Sequence, residues 1–116
     1  MEKQFNKLPP NQAERLFLLC EELGEAQKII GKILRHGYQS YHPEDLKRIT
    51  NRHLLEKEMG HILAALHLLT MGDFIAPADL NSKRIENHKI DKLSNVIKYL
   101  HHQGSEEFYF DRLYKR

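Results

Sequence analysis

Several features that define common protein classes are missing or scarce in this sequence. It has one cysteine, Cys20, which excludes an internal disulfide, and no Cys/His spacing resembles a structural zinc site. It has neither a signal-peptide apolar region nor an apolar run long enough to span a bilayer. The formal charge of +2 is too small to suggest nucleic-acid binding. We therefore expect a cytoplasmic protein with no membrane partner, and nucleic acid is not an expected partner.

The sequence does have the length and composition of one folded domain. Its 116 residues suffice for a single core, and 41% hydrophobic with 29% charged residues argues against disorder. Apolar residues recur at helical spacing, while no segment shows a convincing strand signal. The predicted class is all-α.

Capping residues and glycines predict where the first two helices begin and end. A capping-box pattern at Asn11 and Glu14 starts the first helix, which continues to about Arg35 and stops at Gly37. Residues 36–50 are predicted to form a loop with a short helical turn over 43–47.

Asn51 is predicted to cap the second helix, which runs to about Met71 and stops at Gly72. A third helical region is predicted to begin at Pro77 or Asp79 and to end near residues 101–104. We expect one helical domain over 1–104 and an aromatic, basic tail over 105–116.

Acidic residues interrupt the apolar stripes of the first two helices. Glu22 lies inside the first stripe, Glu25 at its border, and Glu21 towards the polar side. In the second helix Glu58 lies inside the stripe and His61 holds the border position. The stripes are Leu16, Leu19, Leu23, Ala26, Ile30 and Ile33 in the first helix and Leu55, Met59, Ile62, Leu66 and Leu69 in the second.

Helices packed through these stripes would bring the acidic residues together. Carboxylates at a buried seam cost several kcal/mol per ion unless something compensates them. A divalent cation is the simplest compensation, because Mg²⁺ and Mn²⁺ prefer oxygen ligands. The alternative is that these are solvated residues at the edge of an amphipathic helix.

Three motifs together resemble the MazG-type, all-α nucleoside triphosphate pyrophosphohydrolases. Glu21-Glu22-Leu23-Gly24-Glu25 satisfies the Glu-Glu-x-x-Glu half of that family's signature, and Glu58-Met59-Gly60-His61 matches the Glu-x-x-Asp half except at His61. Lys83 and Asn87 resemble the lysine and asparagine that face the substrate's phosphates. The resemblance covers about residues 11–102 and looks like the single-domain bacterial or phage type; a phage protein would work in the host cytoplasm.

The resemblance implies an antiparallel helical bundle, completed by assembly into a homodimer or homotetramer. It also implies metal-dependent hydrolysis of a nucleoside triphosphate between the α and β phosphates, with Mg²⁺, or alternatively Mn²⁺, as cofactor. The implied metal ligands are Glu22, Glu25, Glu58 and His61. Glu21 or Glu22 would orient the attacking water, and Lys83 and Asn87 would bind phosphate.

His61 leaves three outcomes open, because imidazole is a poorer Mg²⁺ ligand than a carboxylate but binds Mn²⁺, Co²⁺ or Zn²⁺. The site works with three carboxylates, or it prefers another metal, or it binds nucleotide without turnover. That third outcome defines a rival: a catalytically impaired binding or regulatory protein. A further rival is a helical interaction module with solvated acidic residues.

The loop offers further candidates for substrate contact. Its residues Arg35, His36, Tyr38 and Arg48 either contact a phosphate or base or are ordinary solvated residues.

Overall fold

A computed structural model describes residues 5–72 and 75–103 of the protein. These residues form the helices α1 (Pro10–His36), α2 (Asn51–Thr70) and α3 (Ser82–Val96), followed by a 3₁₀ helix at Ile97–Tyr99. Within the described ranges there is no strand, which confirms the predicted all-α class. No helix in them is long and apolar enough to cross a membrane. Gly104 and the predicted tail over 105–116 lie outside the described residues.

The chain divides into two compact units. Met1–Asp79 contains α1 and α2, and Leu80–Arg116 contains α3 and the 3₁₀ helix. The candidate site described below lies within the first unit.

The first helix begins without the predicted capping box. Its N-cap residue is Pro9, and Pro10 occupies the first turn, where its fixed φ suits the helix. Asn11 is inside the helix, and its side chain accepts a hydrogen bond from the Gln12 N–H at 3.0 Å. The predicted stop is confirmed: Gly37 has a φ of +90° and donates its N–H to Ile33 O at 2.7 Å.

The connection between α1 and α2 contains two successive turns instead of the predicted helical turn. The Asp45 N–H donates to His42 O at 2.9 Å, and the Arg48 N–H donates to Asp45 O at 3.2 Å. The Asp45 carboxylate also accepts bonds from the Lys47 and Ile49 N–H groups, at 3.0 and 2.9 Å. This side chain takes amide hydrogens that a helix would have used, which accounts for the difference.

The cap of α2 is Thr50 and not Asn51. The Thr50 hydroxyl accepts a bond from the His53 N–H at 3.2 Å. Asn51 is buried. Its side-chain amide donates a hydrogen bond to Gly37 O at 3.3 Å, and its backbone N–H donates one to Ser40 O at 2.8 Å. This residue therefore joins the end of α1 to the start of α2.

The helix α2 ends one residue before the predicted Met71, which is its C-cap. A side chain at Gly72 would meet the backbone nitrogen of Ala78 at 2.8 Å. Glycine is thus needed here for a close backbone approach.

The predicted start of α3 at Pro77 or Asp79 is wrong. The helix begins at Ser82, and the Asn81 side chain caps it by accepting a bond from the Arg84 N–H at 2.9 Å. Asp79 instead accepts two hydrogen bonds from the Arg15 guanidinium, at 2.7 and 2.9 Å. This contact raises the pKa of Arg15. The α-helix also ends early, at Val96.

The core of the first unit lies where α1 packs against α2. Its buried apolar residues are Ala26, Ile29, Ala65 and Leu69. The predicted stripe of α2 fits this core, although Met59 is 39% exposed. The stripe of α1 fits only in part, because Leu16, Leu23 and Ile30 are exposed and the packed face passes through Glu22 and Ile29.

Candidate metal centre

Three ionisable side chains meet at the contact between α1 and α2. Glu22 lies near the middle of α1, while Glu58 and His61 lie one turn apart on α2. The Nδ1 atom of His61 lies 3.2 Å from Glu22 Oε2 and 3.3 Å from Glu58 Oε1. Each residue offers one ligand atom, and these three atoms all lie within 4.8 Å of one another.

The two carboxylates are more shielded from solvent than the imidazole. The side chains of Glu22 and Glu58 are 16% and 12% exposed, against 44% for His61. The Oε2 atom of Glu58 is buried and has no hydrogen-bond partner. Burial of an oxygen that accepts no hydrogen bond lowers the stability of the fold, so Glu58 Oε2 is the unsatisfied acceptor of the cluster.

The pKa of Glu22 is raised above its ordinary value of 4.5. The main cause is a hydrogen bond with the carboxyl group of Glu58; loss of hydration and repulsion by the Glu58 charge act in the same direction, and His61 opposes them. A hydrogen bond between two carboxyl groups requires a proton on one of them. The pair therefore resists holding two negative charges unless a cation accompanies them.

The donor set and its spacing fit a small divalent cation. Neighbouring ligands of an octahedral ion with bonds of about 2.1 Å are roughly 3.0 Å apart, and opposite ligands about 4.2 Å apart. The separations of 3.2 and 3.3 Å are close to the first value, and the 4.8 Å limit for the whole group is somewhat wider than the second. Two carboxylates with one imidazole suit Mn²⁺ or Zn²⁺, and suit Mg²⁺ less well.

The same contacts also permit the cluster to exist with protons alone. A protonated His61 donates from Nδ1 towards both carboxylates, and a proton on Glu22 bonds it to Glu58. Protons would therefore compete with a metal ion for the same three residues.

The remaining predicted site residues lie outside this group. Glu21 and Glu25 are exposed on α1 and are not among the ligand atoms that cluster within the described part of the chain. Lys83 and Asn87 are exposed on α3, in the second unit, one helical turn apart. The sequence predicted that Glu22, Glu25, Glu58 and His61 meet, and the structure brings together the other three without Glu25.

Lys32 and His42 were not singled out from the sequence, yet both line a pocket beside the α1–α2 connection together with Arg35 and His36. One available signal was the spacing of Lys32, Arg35 and His36, which share a face near the end of α1. The sequence has no comparable spacing pattern that would have predicted the position of His42, because a turn and not a helix places it.

Comparison with known proteins adds no relative: no family model, no curated protein and no solved structure matches this chain.

Proposed function

We propose that this protein is a metal-dependent nucleoside triphosphate pyrophosphohydrolase that releases pyrophosphate and a nucleoside monophosphate. The observation that carries the proposal is the partnerless, buried Oε2 of Glu58 beside Glu22 and His61. A carboxylate pair that cannot hold both charges unaided, with an oxygen left without a donor, is what a divalent cation would compensate. The choice of reaction, hydrolysis between the α and β phosphates, rests on the resemblance of the two helical motifs to the MazG-type enzymes.

In this proposal Glu22, Glu58 and His61 hold the ion, and Glu25 joins them when substrate is bound. A bound divalent ion would screen the triphosphate and lower the pKa of an attacking water. Glu21, or Glu22 where it is free of the ion, would orient that water and accept its proton. Lys83 would neutralise phosphate charge, and Asn87 would donate a hydrogen bond to a phosphate oxygen.

His61 is expected to shift the preferred metal from Mg²⁺ towards Mn²⁺. Its Nδ1 lies beside both carboxylates and presents nitrogen where the family signature has an acidic side chain. The cluster then carries one negative charge fewer, and the affinity for a hard ion that demands oxygen ligands falls.

A second candidate is a nucleotide-binding or regulatory protein without turnover. The observation in its favour is that His61 Nδ1 lies close to one oxygen of each carboxylate and can pair with both without a metal. Such a protein would bind nucleotide saturably and release no pyrophosphate. A helical interaction module, the third possibility, would bind neither metal nor nucleotide.

The proposal includes an antiparallel bundle that a second copy of the chain completes. The contacts support opposite helix directions, since Asn51 at the start of α2 meets Gly37 after α1, while Glu22 further back in α1 meets His61 further along α2. Exposed apolar side chains on both helices supply surface for a partner subunit. They are Leu16, Phe17, Leu23, Ile30, Leu34, Met59 and Leu63.

The test is pyrophosphate release from a panel of ribo- and deoxyribonucleoside triphosphates, with Mg²⁺ and separately with Mn²⁺. Glu58→Ala should reduce the rate by more than about a hundredfold, since even residues that only support metal ligands cost 10–100-fold. Glu56→Ala, which removes an exposed carboxylate from the same helix, is the matched control. Full activity in Glu58→Ala would show that the site is wrong, and no release from folded wild-type protein would favour the binding protein.

A further inference from the structure

A pocket of about 430 Å³ lies in the first unit. Its lining residues do not include Glu22, Glu58 or His61, and the proposed hydrolysis gives it no role. It is bounded by the end of α1, the connecting segment and the first turn of α2. Its volume is within the range of roughly 300–1,000 Å³ that small-molecule sites occupy.

Part of the pocket lining is basic. Lys32, Arg35 and His36 line it from the last turns of α1. A cation at this helix end also interacts favourably with the helix dipole, which is reason enough for one basic residue. Two permanent cations facing a cavity, with imidazole beside them, exceed that need and suit an anionic ligand.

His42 adds a ring N–H to the pocket lining. Its Nδ1 accepts a bond from the Glu44 N–H at 3.2 Å, so the neutral ring carries its proton on Nε2. Asp45 is the one carboxylate among the described lining residues, and the Lys47 and Ile49 N–H groups already bond it. These bonds lower the pKa of Asp45 and partly compensate its charge.

The pocket lining also has an apolar part. It includes Tyr41, Pro43, Ile49 and Leu54. The guanidinium of Arg48 lies 5.8 Å from the centre of the Tyr41 ring, a cation–π contact that helps to hold this ring in place. A ligand that fills the pocket therefore needs an apolar part as well as a charge.

The first turn of α2 has no amide hydrogens left for an anion. The N–H groups of Asn51, Arg52 and Leu54 donate to Ser40 O, Tyr38 O and Thr50 O. The His53 N–H donates to the Thr50 hydroxyl. Recognition of an anion must come from side chains, which makes Lys32 and Arg35 the residues to test.

We propose that this pocket binds a phosphate monoester with an aromatic or similarly apolar substituent. Lys32, Arg35 and the Nε2–H of His42 bind the phosphate, and Tyr41 with Leu54 contacts the substituent. Guanidinium and ammonium groups are the usual partners of a phosphate dianion, and an aromatic ring packs on tyrosine and leucine side chains. No metal is required, so this proposal stands independently of the proposed hydrolysis.

Calorimetric titration of the full chain in low salt with EDTA tests the proposal, because chelation removes the metal-dependent site from the measurement. The probes are phenyl phosphate, inorganic phosphate and phenol. We expect phenyl phosphate to bind more tightly than either fragment. Lys32→Gln and Arg35→Gln should each weaken it by roughly tenfold or more, the usual cost of losing a charged hydrogen bond.

Two further variants separate binding in the pocket from nonspecific attraction of the anion to a basic protein. Leu54→Ala should weaken phenyl phosphate and leave inorganic phosphate unchanged. Lys57→Gln removes an exposed charge that is not among the pocket residues and should leave both unchanged. The proposal is overturned if phenyl phosphate does not bind, if Lys57→Gln weakens it as much as Arg35→Gln, or if inorganic phosphate binds as tightly as the ester.

Discussion

The protonation of Glu22 is the residue-level property on which the proposed metal centre depends. Its pKa is raised chiefly by the hydrogen bond with Glu58. The folded protein therefore binds this proton more tightly than the unfolded chain does. Its stabilising effect is complete below the ordinary glutamate pKa of 4.5 and is lost as pH rises from there through the raised pKa. Above that range, ionised Glu22 weakens the metal-free fold.

Replacement of Glu22 by glutamine should raise the melting temperature of the metal-free protein by a few degrees at neutral pH. The amide keeps the shape and can donate a hydrogen bond to Glu58, but it adds no second charge. The measurement is thermal unfolding in EDTA, with Glu21→Gln at the exposed neighbouring position as the control. A lower melting temperature for Glu22→Gln alone would contradict the assigned repulsion.

Replacement of His61 by aspartate should move the metal preference towards Mg²⁺. The added carboxylate restores an oxygen ligand beside Glu22 and Glu58, so the ratio of Mg²⁺- to Mn²⁺-supported pyrophosphate release should increase. His53→Asp makes the same change in charge at an exposed position on α2 and should leave the ratio unchanged. An unchanged ratio in His61→Asp would exclude His61 from metal selection.

At the scale of the elements, the packing of α1 on α2 positions Glu22 against Glu58 and His61. Leu69 is fully buried in this contact, whereas Leu63 on the same helix is 65% exposed. Leu69→Ala should destabilise the protein by about 2–5 kcal/mol, the usual cost of removing a buried leucine. Denaturant unfolding measures this loss, and Leu63→Ala is the control. Equal losses for the two variants would contradict the assigned core.

Gly60 is inside α2, and a side chain at this position would meet nothing within 4 Å. Gly60→Ala should therefore increase the free energy of unfolding by about 0.5–1 kcal/mol through improved helix propensity. Denaturant unfolding of the dilute protein checks this. A loss of turnover with a gain in stability would indicate that substrate or a partner subunit approaches this face, while a loss of stability would contradict the open surface.

The sequence predicted the helices better than their caps. Apolar periodicity together with Gly37 predicted the extent of α1, because glycine is the residue that tolerates a φ of +90°. The cap of α2 was misassigned because Thr50 and Asn51 are both good capping residues, and the fold uses Asn51 for a buried bond. The start of α3 was misplaced because Asp79 pairs with Arg15, a contact between residues 64 positions apart.

The candidate site was also predictable only in part, because apolar periodicity indicates which residues lie on a packed face but not how the turns fold. Glu22 and Glu58 fall on the packed faces, so periodicity alone indicated that they meet. The position of Glu25 depends on which of two apolar faces of α1 packs inward. Leu23 and Ile30 of the predicted stripe are exposed, whereas Ile29, outside that stripe, is buried beside Ala26 on the packed face, and apolar spacing alone does not distinguish the two choices. The pocket at the α1–α2 connection depends on turn geometry, which periodicity does not describe.

At the scale of the whole molecule, the exposed apolar side chains of the first unit agree with the proposed assembly. Leu34 is 82% exposed and Phe17 is 73% exposed, although both lie on α1. A subunit interface that covers them would bury apolar surface that the packing of α1 on α2 leaves exposed. Sedimentation at several concentrations should give a mass of two or four chains, and a monomer at all of them would contradict the assembly.

Electron paramagnetic resonance of Mn²⁺ tests the central claim, that Glu22, Glu58 and His61 form a metal centre, most directly. The spectrum separates free from bound ion, and the titration is performed without nucleotide, because a triphosphate would itself bind Mn²⁺. We predict Mn²⁺ binding to the wild-type protein that Glu58→Gln abolishes and Glu56→Gln leaves intact. Equal binding by wild type and Glu58→Gln, or no protein-bound Mn²⁺ at all, would contradict the claim.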